Sequence, residues 1–306
     1  SANFWLTSNV GMDNYTDSRL SGLDINPGRG LGEVTSTDLS HKGFYTNFFA
    51  NFQKWIHEDL EVRANLGFNY LHNQFRDTTT RGMTLLSAGS IRIDNTQTQT
   101  GSLEAFQKKI AGTSASVDFD YKRQFTLNLS ARNDWSSALP VKANNFLSYG
   151  ATGGIIFSNM GDLKESKYLS LLKITVGYGR VANDAPVHLT QNYYEPVQIG
   201  GDGYISSTTT EGYQLADILG NDHLKPESTT SIEVGLEVGF FKNRIRFNAV
   251  YYEGNTKDVI TTWNLPSSSG FNRVAENGVE ISNKGVELDL HVNPMERKAF
   301  SWKLDI

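Results

Sequence analysis

The sequence predicts an all-β fold, an antiparallel transmembrane β-barrel of which this chain holds about eleven strands. The first observation is alternation: Phe125, Leu127 and Leu129 alternate with Thr126 and Asn128, and similar segments recur along the chain. Because successive side chains of a strand point to opposite faces, each such segment has one apolar face and one wet face. The second observation is that short turns and long polar loops occupy alternate junctions, as periplasmic turns and extracellular loops do in outer-membrane barrels.

The alternation places each strand in order. We expect strands near 3–16, 43–55, 60–70, 111–121, 124–135, 146–157, 170–180, 229–240, 244–254 and 284–293, then a turn at Asn293 and Pro294 into a last strand. Long loops are expected at 24–42, 73–110, 181–228 and 255–283, and short turns at 57–59, 122–123, 161 and 242–243. Several strands approach the roughly 9–11 residues that cross a bilayer at a tilt.

A large soluble β-sandwich or β-solenoid is the alternative fold. The sequence shows no fixed internal period, which argues against propellers and solenoids. The polar faces carry Glu, Arg, Asp and Asn, which would be costly against lipid but suit a wet lumen. The alternation therefore favours the barrel.

Parity along each strand assigns side chains to the two faces. We expect one set to face lipid: Leu66, Phe68, Leu127, Leu129, Ile232, Val234, Leu236, Leu288 and Leu290. We expect the other set to face the lumen: Arg63, Asn65, Asn128, Arg132, Asp134, Glu233, Glu237, Glu287 and Asp289. Within the second set, Arg132 and Asp134 share a face and are placed to pair.

The composition limits the chemistry. The chain has no Cys, which removes disulfides and thiolate metal sites. Its net charge of −5 gives no basic footprint, so nucleic acid is not expected as a partner. Aromatic residues make up 11%, as expected where rings gird a membrane interface.

No catalytic residue, metal ligand or cofactor is predicted. The six His have no metal-ligand spacing, and Ser136 and Ser137 follow Asp134 without a nearby His or a G-x-S-x-G turn. The Asp- and Gly-rich segments 24–32 and 200–203 offer oxygen atoms that suit Ca²⁺, but neither matches an EF-hand. A hydrolase assembled from distant residues stays the alternative.

The loop at 181–228 is the candidate ligand or lid contact. It holds Tyr193, Tyr194, Tyr204 and Tyr213 among Gln, Asn and Gly. Aromatic faces beside amide groups suit neutral polar ligands such as sugars or peptides. The alternative is that these rings only pack a loop over the barrel mouth.

Four segments, taken in order, carry a family resemblance. They are Arg132–Ser137, Leu172–Asn183, Asn221–Glu227, and Tyr251–Asp258 with Asn283–Leu288. In this order they resemble the motifs of SusC/RagA-type TonB-dependent outer-membrane transporters across roughly 130–293. The sequence departs from the usual motifs at some positions: Thr175 replaces an Arg, Gly177 a Ser and Asp222 a Pro.

The resemblance implies active import of polar nutrients, oligosaccharides or peptides, across the outer membrane of a Gram-negative bacterium. Such a protein has a plug inside a barrel of about 22 strands. A TonB–ExbB–ExbD complex energises it through the plug, and a SusD-like surface lipoprotein forms its lid. Residues 1–306 would then be a portion of the C-terminal half of the barrel, in contact with outer-membrane lipid and without the plug or the closing strand.

The resemblance implies no enzyme, and three alternatives to it stay open. The first is a passive outer-membrane channel, or a barrel that anchors a secretion or adhesion assembly. The second is an outer-membrane barrel hydrolase. The third is a siderophore-type TonB-dependent receptor, against which the SusC-like motifs weigh.

Overall fold

The computed structural model describes residues 3–26, 28, 30–199, 210–297 and 300–305. Fourteen strands lie in this part of the chain: β1 (Asn3–Leu23), β2 (Glu33–His57), β3 (Leu60–Leu85), β4 (Thr96–Tyr121), β5 (Phe125–Ser136), β6 (Asn145–Ile156), β7 (Leu169–Asn183), β8 (Tyr194–Ile199), β9 (Thr210–Leu215), β10 (Ile218–Leu219), β11 (Glu227–Phe240), β12 (Ile245–Asn264), β13 (Arg273–Arg297) and β14 (Phe300–Asp305). Short 3₁₀ helices cover Ile93–Asn95, Val141–Ala143, Phe157–Asn159, Gly161–Glu165 and Ser267–Ser269. Among the described residues, no helix has the length and apolar character needed to cross a membrane.

Twelve of the strands form one sheet in the order β1-β2-β3-β4-β5-β6-β7-β11-β12-β13-β10, with β14 also paired to β13. The pairs from β5 to β13 are antiparallel, and the short β10 joins β13 in parallel. β8 and β9 form a separate antiparallel hairpin. The antiparallel all-β prediction is confirmed, with twelve strands in the sheet where the sequence predicts about eleven.

Contacts divide the chain into two compact units. The first comprises Ser1–Thr7, Phe48–Phe68 and Gly112–Ile306. The second comprises Ser8–Asn47 and Asn69–Ala111. Buried apolar side chains of the first unit come mainly from loops and the start of β13: Ala138, Leu139, Ala185, Ala216, Leu224 and Ala275.

Several predicted loops are largely strand, so those boundaries are wrong. β2 begins inside the predicted loop 24–42, and β3 and β4 leave only 86–95 outside strands in the predicted loop 73–110. In the same way β12 and β13 fill most of 255–283, and 181–228 contains β8, β9 and β10. These segments are rich in Thr, Ser and Gln. Thr favours strands, but a strand that is wet on both faces shows no apolar alternation.

The predicted turn at Asn293 and Pro294 is also wrong. β13 continues to Arg297, and its register against β14 shifts between Val292 and Met295. Proline lacks the backbone N–H that a regular ladder needs, so it is tolerated at such an irregularity. The register shift thus lets β13 continue past Pro294, although proline in a sequence usually indicates the end of a strand.

Three predicted short turns occur where expected, and the first joins β2 to β3 through residues 58–59. The β4–β5 turn uses Lys122 and Arg123 with φ of 57° and 53°, and the β11–β12 turn uses Phe241, Lys242 and Asn243 with φ of 53° to 62°. The Lys122 N–H donates to the carbonyl of Asp59 at 2.7 Å. Left-handed backbone lets a chain reverse within a few residues, so the consecutive strands remain neighbours.

Candidate functional site

The register of the first unit brings the predicted apolar side chains onto one face of the sheet. Leu129 of β5 lies opposite Ala151 of β6, and Ala151 lies opposite Tyr178 of β7. Tyr178 in turn lies opposite Ile232 of β11. Directly opposed residues of an antiparallel pair share a face, so these side chains form a continuous row.

We call this side the apolar face. By register it carries Leu127, Leu129, Ile232, Val234, Leu236, Leu288 and Leu290, and by parity on β3 it carries Leu66 and Phe68. Leu66 is 63% exposed and Leu288 is 61% exposed. These side chains are therefore not packed into the core that a β-sandwich would require.

The opposite side carries the predicted lumen-facing set, and we call it the polar face. Asn128 lies opposite Thr152, and Thr152 lies opposite Gly177. Gly177 lies opposite Glu233, which lies opposite Tyr252 of β12. The predicted members on this face are Asn128, Arg132, Asp134, Glu233, Glu237, Glu287 and Asp289 by register, with Arg63 and Asn65 by parity on β3.

Side chains of the polar face are tied together across strands. The Lys173 ammonium lies 2.8 Å from a Glu237 carboxylate oxygen. The Asn128 amide donates to Asp118 at 2.8 Å, and the Asn65 amide donates to Asn51 at 2.7 Å. Cross-strand hydrogen bonds of this kind hold polar groups in fixed positions on the polar face.

A groove of about 380 Å³ lies on the first unit between β3 and β11, with Asn65, Ser130, Arg132 and Glu233 in its lining. Glycine is frequent there. At Gly177 an added Cβ would lie 3.6 Å from the nearest atom, which is ordinary contact, so packing within the chain does not demand glycine at this position. The small side chains leave room above the sheet.

Arg132 and Asp134 form the tightest charged contact on the polar face. The Arg132 Nε–H donates to Asp134 at 2.7 Å and its Nη2–H donates at 2.6 Å. A Cβ at Gly112 would overlap Asp134 Oδ1 and Arg132 Nη2, so a larger residue there would force the pair to shift from its present position against β4. The predicted pairing is therefore confirmed, and Gly112 is a supporting residue that the alternation alone does not reveal.

The motif Arg132–Ser137 also makes a buried contact near its end, with a residue that the sequence analysis did not identify. The Ser136 hydroxyl donates to a carboxylate oxygen of Asp184 at 2.5 Å, and both residues are buried. Asp184 directly follows Asn183, the last residue of the motif Leu172–Asn183. This position next to a motif was the only feature of the sequence that could have indicated Asp184. The contact ties the end of β5 to the segment after β7.

A second missed residue, Asn277, fixes the Leu224–Glu227 motif. Its side-chain oxygen accepts from the Lys225 N–H at 2.9 Å, and its amide donates to the carbonyls of Lys225 at 2.9 Å and Asp258 at 2.6 Å. We call these three hydrogen bonds the Asn277 clasp. Leu224, which directly precedes Lys225, is completely buried. Three backbone groups of two distant segments are thus satisfied by one amide side chain.

The predicted tyrosine cluster is brought together only in part. On the β8–β9 hairpin, Tyr194 pairs with Leu215 and Pro196 pairs with Tyr213, so Tyr194 and Tyr213 are diagonal neighbours on one face. Both rings are well exposed, at 68% and 78%. Tyr193 instead lies beside His188, with ring centroids 5.3 Å apart. Tyr204 lies outside the described residues.

Within the described residues, no group of three or more His, Asp or Glu side chains is placed to hold a metal ion. In the predicted Asp- and Gly-rich segment 24–32, the Asp24 carboxylate accepts from the N–H groups of Ile25 and Gly89, each at 2.8 Å. The Asp24 carboxylate oxygens therefore accept hydrogen bonds from the backbone. Residues 200–203 of the other segment lie outside the described residues.

A family model described as "TonB dependent receptor-like, beta-barrel" matches residues 2–306. TonB-dependent receptor P26 of Formosa agariphila is 25% identical over 284 residues, which cover 89% of this chain and 28% of that protein. TonB-dependent receptor SusC of Bacteroides thetaiotaomicron is 28% identical over 151 residues, covering 46% of this chain and 14% of that protein.

Among solved structures, the RagAB peptide transporter matches with a TM-score of 0.82 at 20% identity, covering 99% of this chain and 34% of that chain. At this identity the likeness shows the fold. The chain spans less than a third of the length of the curated relatives that it matches. The predicted resemblance to SusC and RagA is confirmed by these matches.

Proposed function

The chain belongs to the TonB-dependent receptor β-barrel family, and we propose that it is part of the barrel of an outer-membrane importer of polar nutrients. The family consists of outer-membrane nutrient importers, and its curated members here are receptors, not enzymes. The observation that carries the proposal is the division of one sheet into an apolar face and a hydrogen-bonded polar face across β5 to β13. A barrel wall between lipid and a wet lumen needs this division.

In this proposal the apolar face meets lipid. Aromatic pairs lie toward both ends of that face and support the assignment. Tyr149 and Tyr178 have ring centroids 6.4 Å apart near the long loops, and Tyr121 and Phe125 are 6.3 Å apart at a short turn. Rings with one polar end are favoured at the two water–lipid interfaces, where such girdles flank the apolar band.

The polar face, in this proposal, lines the interior and meets the plug and the cargo. Exposed Glu233, Glu287 and Asp289 would be costly in hydrocarbon, whereas water solvates them in a lumen. The space above Gly177 admits a close-packed neighbour. The cargo is an oligosaccharide or a peptide, a TonB–ExbB–ExbD complex supplies the energy through the plug, and a SusD-like lipoprotein closes the lid over Tyr194 and Tyr213.

The test is uptake by the full-length protein in a Gram-negative host that lacks other receptors of this family. Fluorescent hexasaccharides and hexapeptides are offered separately, in cells with and without functional TonB. Accumulation of either probe that requires TonB is the expected result. Outer-membrane fractionation of the same cells checks that the receptor is inserted.

The alternatives give different outcomes. Uptake that persists without TonB would favour a passive channel and contradict active import. Cleavage of a probe by the purified protein, lost in a Ser136→Ala variant, would favour the hydrolase. Accumulation of neither probe while a ferric siderophore enters would assign the protein to the siderophore-type receptors.

A further inference from the structure

The second unit carries a group of aromatic rings that the proposed transport function leaves unassigned. These rings lie on β1, β2, β3 and β4 within 8–47 and 69–111. We call this group the stacked-ring face and define it by Tyr15, His41, Tyr45, Phe75 and Phe106. Their contacts with one another and with intervening glycines place them on one side of these strands.

The rings lie parallel in pairs. Tyr15 and His41 have centroids 5.2 Å apart and planes inclined by 24°. Phe75 and Phe106 have centroids 4.8 Å apart and planes inclined by 23°. In each pair one ring covers one face of its partner, and of these four rings Tyr15 is the most exposed while His41, Phe75 and Phe106 are half-buried.

A fifth ring covers a glycine. A Cβ at Gly11 would fall on the ring atoms of Tyr45, so this ring occupies the space directly above the backbone of β1. Tyr15 remains 53% exposed and Tyr45 remains 36% exposed. These two rings therefore offer aromatic surface on which a ligand ring can stack.

Hydrogen-bonding groups surround the rings. The Asn69 amide donates to Asn47 at 2.7 Å. Gly43 lies between Asn73 and Asp13, because a Cβ there would be 3.2 Å from the Asn73 side-chain oxygen and 3.9 Å from the Asp13 Cβ. The Asn73 side-chain oxygen, a hydrogen-bond acceptor, therefore lies beside Gly43, which stands between His41 and Tyr45 on β2.

Charge near the Tyr15–His41 pair is dominated by carboxylates. Arg19 pairs with Asp17 at 2.5 Å and lies within electrostatic reach of Asp77. Asp13 adds a further exposed carboxylate on the same side. Lys108 lies two residues from Phe106 on the same side of β4, so the excess of carboxylates is confined to the Tyr15–His41 end of the stacked-ring face. At that end an anionic ligand would be repelled, whereas the hydroxyl groups of a neutral ligand would find acceptors.

We propose that the stacked-ring face binds neutral sugar rings of the cargo and discriminates against anionic sugars. The inference rests on the proposed import function and deepens it. A pyranose ring presents C–H groups on one face, which stack on an aromatic face, and hydroxyl groups at its rim, which donate to carboxylate and amide oxygens. Parallel ring pairs bordered by acceptors offer both kinds of contact.

The test is isothermal titration of the purified full-length receptor, with any lipoprotein partner that copurifies, against single probes. The neutral probes are maltohexaose, xylohexaose and mannohexaose; the comparison probes are hexagalacturonate and a hexapeptide mixture. Tyr15→Leu removes an exposed ring and Tyr15→Phe keeps it. Phe44→Leu is the matched control, since Phe44 precedes Tyr45 on β2 and points to the other side.

We expect at least one neutral hexasaccharide to bind, and Tyr15→Leu to weaken that binding by about tenfold. Tyr15→Phe and Phe44→Leu should each change it by less than about twofold. Three results would overturn the inference: no neutral probe binds, hexagalacturonate binds as tightly as the best neutral probe, or Tyr15→Leu binds like the wild type. If peptides bind and are taken up in a TonB-dependent way while no neutral hexasaccharide binds, the proposed import function is supported and the proposed sugar-binding face is rejected.

Discussion

Arg132 and Asp134, two residues apart on β5, are joined by a forked contact in which Nε donates to one carboxylate oxygen at 2.7 Å and Nη2 donates to the other at 2.6 Å. The Asp134 side chain is 9% exposed and the Arg132 side chain 42%. The planar guanidinium matches the carboxylate, and an ammonium could not reproduce this geometry. The pair anchors the β5 end of the groove on the polar face.

We expect Asp134→Ala to lower the free energy of unfolding by roughly 1.5–3 kcal/mol, because it removes charge-assisted hydrogen bonds from a half-buried Arg132. Arg132→Lys should also destabilise, since it loses the fork. Urea unfolding of the full-length protein refolded into lipid vesicles measures both. Asp289→Asn, an exposed change on the same polar face, is the control and should shift stability by less than about 0.5 kcal/mol.

Leu129 and Ser130 are neighbours on β5 that point to opposite faces. In the lipid-facing assignment, Leu129→Arg should cost roughly 2–4 kcal/mol near the bilayer midplane. Ser130→Arg places the same charge on the polar face and should cost much less. The same vesicle unfolding assay compares the two, and equal costs would contradict the assignment of faces.

Gly112 and Gly177 both lie on the polar face but differ in the space above them. A Cβ at Gly112 collides with Arg132 and Asp134, whereas one at Gly177 meets its first neighbour at 3.6 Å. We expect Gly112→Ala to destabilise by about 1–3 kcal/mol through strain on the ion pair. Gly177→Ala should be neutral or slightly stabilising in the same assay, since alanine restricts the unfolded chain. A reversed order would contradict the geometry.

Asn277 satisfies three backbone groups of Lys225 and Asp258. We expect Asn277→Ala to cost about 1–3 kcal/mol and to loosen the segment that carries Leu224 to Glu227. Limited proteolysis of intact cells should then cut within 217–228 faster than in the wild type. Glu276→Ala, an exposed neighbour, is the control, and equal cleavage of the two variants would reject the clasp.

Sequence alternation predicts the faces of the sheet wherever one side is apolar. Leu127, Leu129 and Val234 appear on one face because their neighbours in sequence are polar, and the observed register keeps them together. The assignment of side chains to faces holds even where the predicted strand ends are wrong, because it depends only on the two-residue period of a strand. The family motifs likewise mark strand ends and loop clasps that the structure shows.

Alternation could not find the extended parts of β2, β3 and β4. In segments such as Thr78–Thr80, both sides of the strand are polar, so the pattern resembles a loop. Contacts between residues far apart in sequence could not be predicted from alternation either. Asp184 meets Ser136 across 48 residues, and Asn277 meets Lys225 across 52, so neither contact has a local signature.

The central claim is that the apolar face meets lipid and the polar face meets water. Since these 306 residues contain no Cys, single substitutions Leu129→Cys and Ser130→Cys offer clean attachment sites for a nitroxide spin label within this region. The most direct measurement is the collision rate of each label with oxygen and with a water-soluble nickel chelate, in the full-length protein in lipid vesicles. We predict oxygen-dominated collisions at Leu129→Cys and nickel-dominated collisions at Ser130→Cys. Nickel-dominated collisions at both positions, or the reverse pattern, would contradict the central claim.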